Sequence, residues 1–174
     1  MTESPAAAGS IPRYAPEDIL TSEPTRSARL KWVVVVDESL PAGPMVNAVA
    51  CISATTGSLV EGLIARGGPD ASGFEHPGLP WAGCAVLAAP ANVIGELHAR
   101  AASSAGILVV DMPAAAQAHR VYDDYLAELA HTEPQNVGPS AVSIVGPKNR
   151  VDKMIKKLKL LMANESGVQG DRTE

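Results

Sequence analysis

Residues 30–55, LKWVVVVDESLPAGPMVNAVACISAT, decide the fold. From Leu30 to Val36 the run is apolar and rich in valine, and it stops at Asp37. It is too short for a stable helix and dense in β-branched residues, so it reads as a strand buried on both faces. Pro41, Gly43 and Pro44 read as a turn. From Met45 to Thr55 the spacing becomes helical, with Met45, Val49 and Ile52 along one face and Ala48 and Cys51 beside them. Gly57 is placed to end that helix.

The same pattern repeats outward. Cys84 to Ala88, Ile107 to Val110 (ending at Asp111) and Ala141 to Val145 read as further strands. Pro90 opens a helix whose apolar face is Val93, Ile94, Leu97 and Ala101, and Gly106 stops it. Ala114 to Ala130 reads as one helix with Val121, Tyr122, Tyr125, Leu126 and Leu129 inward. Gly146-Pro147 opens a last helix with Val151, Ile155, Leu158 and Met162 on its buried side. Leu63 to Ala65 reads as a short edge strand, and Gly67 to Pro80 as loop. Alternating strands and helices predict an α/β fold: a small mixed sheet of about four strands, with substantial parallel character and helices on both faces. The folded domain is expected over residues 29–162. A proline-rich disordered arm over 1–28 and a disordered polar tail over 163–174 flank it.

The chain has 174 residues, 46% hydrophobic and 19% charged, which suits one compact domain and excludes global disorder. Aromatics are only 3% against 28 alanines, so the core must be aliphatic with close helix packing. A net charge of -5 disfavours a strongly basic nucleic-acid binder. No apolar run has the ~20 residues of a membrane span, and the N-terminal segment has neither a basic start nor an apolar stretch, so no secretory signal is expected. Two cysteines, read as small buried hydrophobes, point to a reducing cytoplasm.

Asp37 and Asp111 each follow a strand directly and should stand at strand C-termini, where ligands of such sheets bind. Each reads either as a turn acid bonding nearby N–H groups or as a pocket acid that positions a nucleophile. Asn47, early in the first helix, offers a donor and an acceptor to a ligand or to a neighbouring loop. His76, in the Gly-rich loop, is the best general acid/base candidate. His98, His119 and His131 read as surface or half-buried helix positions. His119 and Asp123 share i,i+4 spacing, too little for a metal site, and no metal is expected. Neither GxSxG nor GxxxxGK[ST] nor GxGxxG occurs, so no cofactor is expected. Residues 147–162 hold six basic residues against Asp152 alone, a local +5 in a chain of -5. That is either a solvated helix face or, with Gly146 and Lys148 at the helix start, a place for a phosphate or carboxylate.

The segments LKWVVVVDESLPAGPMVNAVACISA, EHPGL, GILVVDMPAAAQ and VSIVGPKNRVDKMIKKLKLLM resemble the bacterial family known as domain of unknown function two thousand, over residues 30–162. That family is similar to the type II peptidyl-tRNA hydrolase superfold. The resemblance implies a small mixed sheet with helices on both faces and, commonly, a homodimer. At the hydrolases' site lysine and glutamine this chain has Val46 and Ala50, and near their strand-end threonine it has Ala115. Asp111 matches their strand-end aspartate. The resemblance, with Asn47, His76 and Asp111 matching the family's pattern, and the residue readings above together lead to the expectation of a hydrolase-like pocket turned to another small acyl, aminoacyl or anionic ligand. Asn47, His76 and Asp111 are its expected working residues and, from the residue readings, Asp37, Gly146 and Lys148 its ligand contacts. Hydrolysis of peptidyl- or aminoacyl-tRNA, with the basic segment holding RNA, is the alternative. A non-enzymatic interaction module is the contrasting class.

Overall fold

The computed structural model describes residues 10–161. Its strands are β1 (Leu30–Asp37), β2 (Gly68–Pro69), β3 (Glu75–His76), β4 (Cys84–Ala89), β5 (Leu108–Pro113), β6 (Pro139–Pro147) and β7 (Lys159–Leu160). Its helices are α1 (Ala42–Leu59), α2 (Ala91–Ala102), α3 (Ala114–Ala118), α4 (Tyr122–His131) and α5 (Lys148–Ile155). The main sheet is mixed and has five strands, in the order β5-β6-β1-β4-β7, while β2 and β3 form a separate two-stranded hairpin. The expected parallel character is confined to β1 and β4, because β6 inserts beside β1 antiparallel to both β1 and β5. Alternation of strand and helix along a chain does not by itself fix strand direction.

Trp32 to Val36 are all buried, as their uninterrupted apolar run requires. Alternate residues feed opposite faces. Trp32, Val34 and Val36 pack with Ala48 and Ile52 of α1. Val33 and Val35 pack with Ile94 and Leu97 of α2 and with Val151 and Ile155 of α5. Helix α1 buries a single stripe, Ala48, Ile52 and Thr56, spaced by four residues. Its hydroxyl completes a buried relay between helix and sheet. Trp32 Nε1 donates to Ser143 Oγ at 2.8 Å, and Thr56 Oγ1 donates to the Ile52 carbonyl at 2.7 Å. The Ser143 hydroxyl therefore donates to Thr56 Oγ1, also at 2.7 Å.

Several expectations change. Pro41 and Pro44 do not form a separate turn: Pro41 caps α1 and Pro44 lies in its first turn, where a missing N–H costs nothing. Gly57 does not end α1, which runs to Leu59; it is half-buried beside Ile64. Leu63 to Ala65 contributes only an isolated bridge, Ile64 to Pro80. The single helix expected over 114–130 is two, broken where His119 is extended, and Val121, Tyr122 and Leu126 are exposed instead of inward. The last helix ends at Ile155, and the chain turns to lay Leu160 beside Leu87 on the open edge of β4. Pairing an open edge outweighs the continuing helical pattern. Residues 10–28 are not a loose arm. Tyr14 is buried and meets the Trp81 ring at 4.9 Å, and Arg29 pairs with Asp18 at 2.9 Å. Residues 1–9 and 162–174, including Met162 and the expected tail, lie outside the described residues.

Candidate functional site

Asn47 and Asp111 line one cavity, which encloses about 680 Å³ at the β5 edge of the sheet. That size suits a small molecule. Helix α1 supplies Asn47, the end of β5 supplies Asp111, and the α3–α4 pair closes the outer side with Gln117, Tyr122 and Tyr125. Gln117 reaches across from α3: its Nε2 donates to the Pro44 carbonyl at 2.8 Å and to Asn47 Oδ1 at 3.1 Å. With Oδ1 so engaged, the Asn47 Nδ2 donors have no partner among the described residues.

Asp111 faces two environments. Its Oδ2 lies 3.9 Å from His98 Nε2, reaching α2 around the sheet edge, and both side chains are about one-third exposed (33% and 29%). On the cavity side, burial pushes the Tyr125 phenol above its ordinary value, and the negative charges of Asp111 and an ionised Tyr122 push in the same direction. The Tyr122 and Tyr125 rings meet edge to face at 5.5 Å. His119 lines the same cavity and is held by Glu128. The cavity therefore offers amide donors, a carboxylate acceptor and two aromatic rings. This set suits a ligand with a carbonyl at one end and an amine or hydroxyl at the other.

The remaining sequence candidates lie elsewhere. His76 stands on the β2–β3 hairpin, does not line the Asn47 cavity, and has its Nε2 3.4 Å from Asp70 Oδ2. Asp70 caps that hairpin: three hydrogen bonds from Ser72 and Phe74, helped by His76, hold its carboxyl down at about 2. Asp37 is a turn acid, accepting from the Ser39 N–H at 2.9 Å and the Ser39 hydroxyl at 2.7 Å. Gly146 is buried inside β6, where any side chain would run into Ile107, so it allows close packing there. Lys148 Nζ donates to the Arg26 carbonyl at 3.1 Å, tying the N-terminal segment to α5. Among the described residues no group of three His, Cys, Asp or Glu side chains is placed to hold a metal ion, and no helix is long and apolar enough to cross a membrane.

Two partners escape the sequence reading. His98 meets Asp111 only because α2 packs beside the β5 edge, which no spacing reveals. Gln117 carries a weak signal, six residues after Asp111 at the end of DMPAAAQ. On α1 the sequence shows Asn47 but not its partner; the second amide comes in from α3.

Fold and cavity together define a small mixed α/β protein with an amide-and-carboxylate pocket at a sheet edge. The chain belongs to the family described as Protein of unknown function (DUF2000), whose model matches residues 30–162. It is similar in fold to a protein of unknown function from Agrobacterium tumefaciens strain C58, with a TM-score of 0.66 and 19% identity over 77% of this chain and 98% of that one. No curated protein matches it.

Proposed function

We propose that the Asn47–Asp111 cavity binds a small acyl or aminoacyl ligand, in a cytoplasmic protein of the peptidyl-tRNA hydrolase II-like superfold whose pocket serves another substrate. The observation that carries this reading is the Gln117–Asn47 amide pair beside Asp111 in one cavity. Gln117 holds Asn47 by its oxygen, so the Asn47 N–H groups are available to a ligand carbonyl. Asp111 accepts from the ligand amine or hydroxyl, with His98 3.9 Å behind the carboxylate. Val46 and Ala50 stand where the hydrolases use lysine and glutamine, which argues against peptidyl-tRNA as the substrate. His76 has no role in this site. The exposed Val121 at the start of α4 and Tyr122 and Leu126 within it favour a homodimer in which a second copy covers this flank.

Calorimetric titration with N-acetyl amino acids and amino-acid amides tests the reading. Saturable binding by at least one probe is expected, weakened at least tenfold by Asn47→Ala and by Asp111→Asn. No binding by any probe, or binding that neither substitution changes, overturns it. Turnover of a labelled peptidyl-tRNA that Asp111→Asn abolishes would replace it with the hydrolase reading.

A further inference from the structure

A second concavity lies on the other side of the first turn of α1. It is a groove of about 1240 Å³ between α2, the start of α1 and the segment that runs from α5 through β7. Its floor is apolar, with Val93 and Leu97 of α2 against Met154 and Leu158. Leu160 and Leu161 border it and stay exposed, at 60% and 39%. They extend the apolar floor to the edge of the groove.

The rim has the opposite character. Lys153, Lys156, Lys157 and Lys159 all line the groove, and none forms an ion pair with another described residue. Arg100 adds a fifth cation while its Nη2 donates to the Met154 carbonyl at 2.7 Å, pinning α2 to α5. Glu38 and Glu96 are the acids of the lining, so the groove carries a local excess of three positive charges in a chain of net -5. Unpaired cations crowded within seven residues repel one another and gain from any bound anion. A simple solvated helix face would not explain the apolar floor beneath them, and a purely apolar partner would leave the charges unanswered.

We infer that this groove binds a soluble anionic amphiphile: a carboxylate or phosphate head among Lys153, Lys156, Lys157 and Lys159, with an aliphatic chain along Val93, Leu97, Met154 and Leu158. The argument is charge complementarity over an apolar floor, and it is independent of the Asn47 cavity. The head sits at the wet rim, where lysines adapt on flexible stems. The chain supplies most of the affinity through apolar burial.

Titrating the full chain with dodecanoate below its micelle concentration tests this. Saturable binding is expected, at least tenfold tighter than octanoate, since each methylene buried contributes roughly a factor of three to four. The double variant Lys157→Glu/Lys159→Glu changes exposed side chains only and should weaken binding at least tenfold, while leaving the thermal midpoint within a degree or two. Raising the salt should weaken binding in the parent protein and not in the double variant. Four outcomes overturn the inference. One is no saturable binding of dodecanoate, as expected if residues 162–174 or a second copy fill the groove. Another is equal affinity for dodecyltrimethylammonium, whose head has the wrong charge. A third is affinity unchanged in the double variant. The last is pelleting with phosphatidylglycerol vesicles without binding of free dodecanoate, which would make the surface a membrane contact.

Discussion

On the face of the sheet covered by α2 and α5, the buried hydrophobic cluster is entirely aliphatic, from Val33 and Val35 to Leu97, Ile144 and Val151. On the face covered by α1 and the N-terminal segment, Tyr14, Trp32 and Trp81 are buried together with the hydroxyls of Thr56 and Ser143. The same strands serve both faces, so the difference lies in what each face must specify. Aliphatic packing is strong but weakly directional, and it lets a helix settle wherever volume is filled. Hydrogen bonds between Trp32, Ser143 and Thr56 fix the rotation and height of α1 on the sheet. Asn47 lies on the same helix, about two and a half turns toward its start. The polar relay therefore sets where Asn47 stands relative to Asp111, while the aliphatic face supplies bulk stability.

The largest effect should come from the aliphatic face. Leu97 is 2% exposed and packed under the sheet, so Leu97→Ala should cost about 2–5 kcal/mol in a urea unfolding curve. Binding of a probe in the Asn47 cavity should be unaffected in the fraction that stays folded. A loss below about 1 kcal/mol would mean that this face is not close-packed, and the contrast between the faces would fail. Ser143→Ala should cost less, about 1–3 kcal/mol, because the Trp32 indole N–H loses its acceptor and Thr56 loses its donor. Its distinctive signature is non-additivity. Adding Trp32→Phe to Ser143→Ala removes the orphaned donor as well, so the double variant should lose less than the two single losses summed. Strict additivity would show that the relay is incidental and does not orient α1.

Much of the fold was legible because the strands announce themselves. LKWVVVV, CAVLA, ILVV and AVSIV are short apolar runs, and the structure makes strands of all four. Strand direction was not legible: nothing in AVSIV says that it inserts antiparallel between two earlier strands. Residues 159–160 read as helix because Leu158 keeps the period begun by Val151 and Ile155, and only the open edge of β4 pulls them straight. The break at His119 contains neither proline nor glycine, so no local signal marks it. The N-terminal segment reads as a loose arm from its four prolines, although Tyr14 packs on Trp81 and Lys148 holds the Arg26 carbonyl. Strand-end position for Asp111 and early-helix position for Asn47 bring both to one cavity. His76 lies away from that cavity, because composition marks a loop without saying which way it faces. The loop is instead closed on itself through Asp70.

The smallest effect separates the faces by pH. Tyr14 is 3% exposed, and its hydroxyl donates to the Leu30 carbonyl at 3.3 Å. Burial pushes its phenol from the ordinary 10.0 up to about 12, with the Asp18 charge adding to the rise and Arg29 opposing it. A raised value means that the folded chain keeps this proton over a window in which the unfolded chain has released it. The contribution of Tyr14 is therefore complete below pH 10, and it is lost as pH rises from there to about 12. Tyr14→Phe removes the hydrogen bond, which should cost about 0.5–1.5 kcal/mol at pH 9. It also removes the titration, so the parent protein should lose stability faster than the variant between pH 10 and 12, and the gap between their unfolding midpoints should close. Tyr125 titrates in both proteins and cancels in the difference. The buried aliphatic cluster of the α2–α5 face holds no titratable side chain, so Leu97→Ala should keep the same distance from the parent across this range. A Tyr14→Phe gap that stays constant from pH 9 to about 11.5 would show that the hydroxyl reaches water, and that the N-terminal segment lies more loosely on Trp81 than the packing of its ring implies.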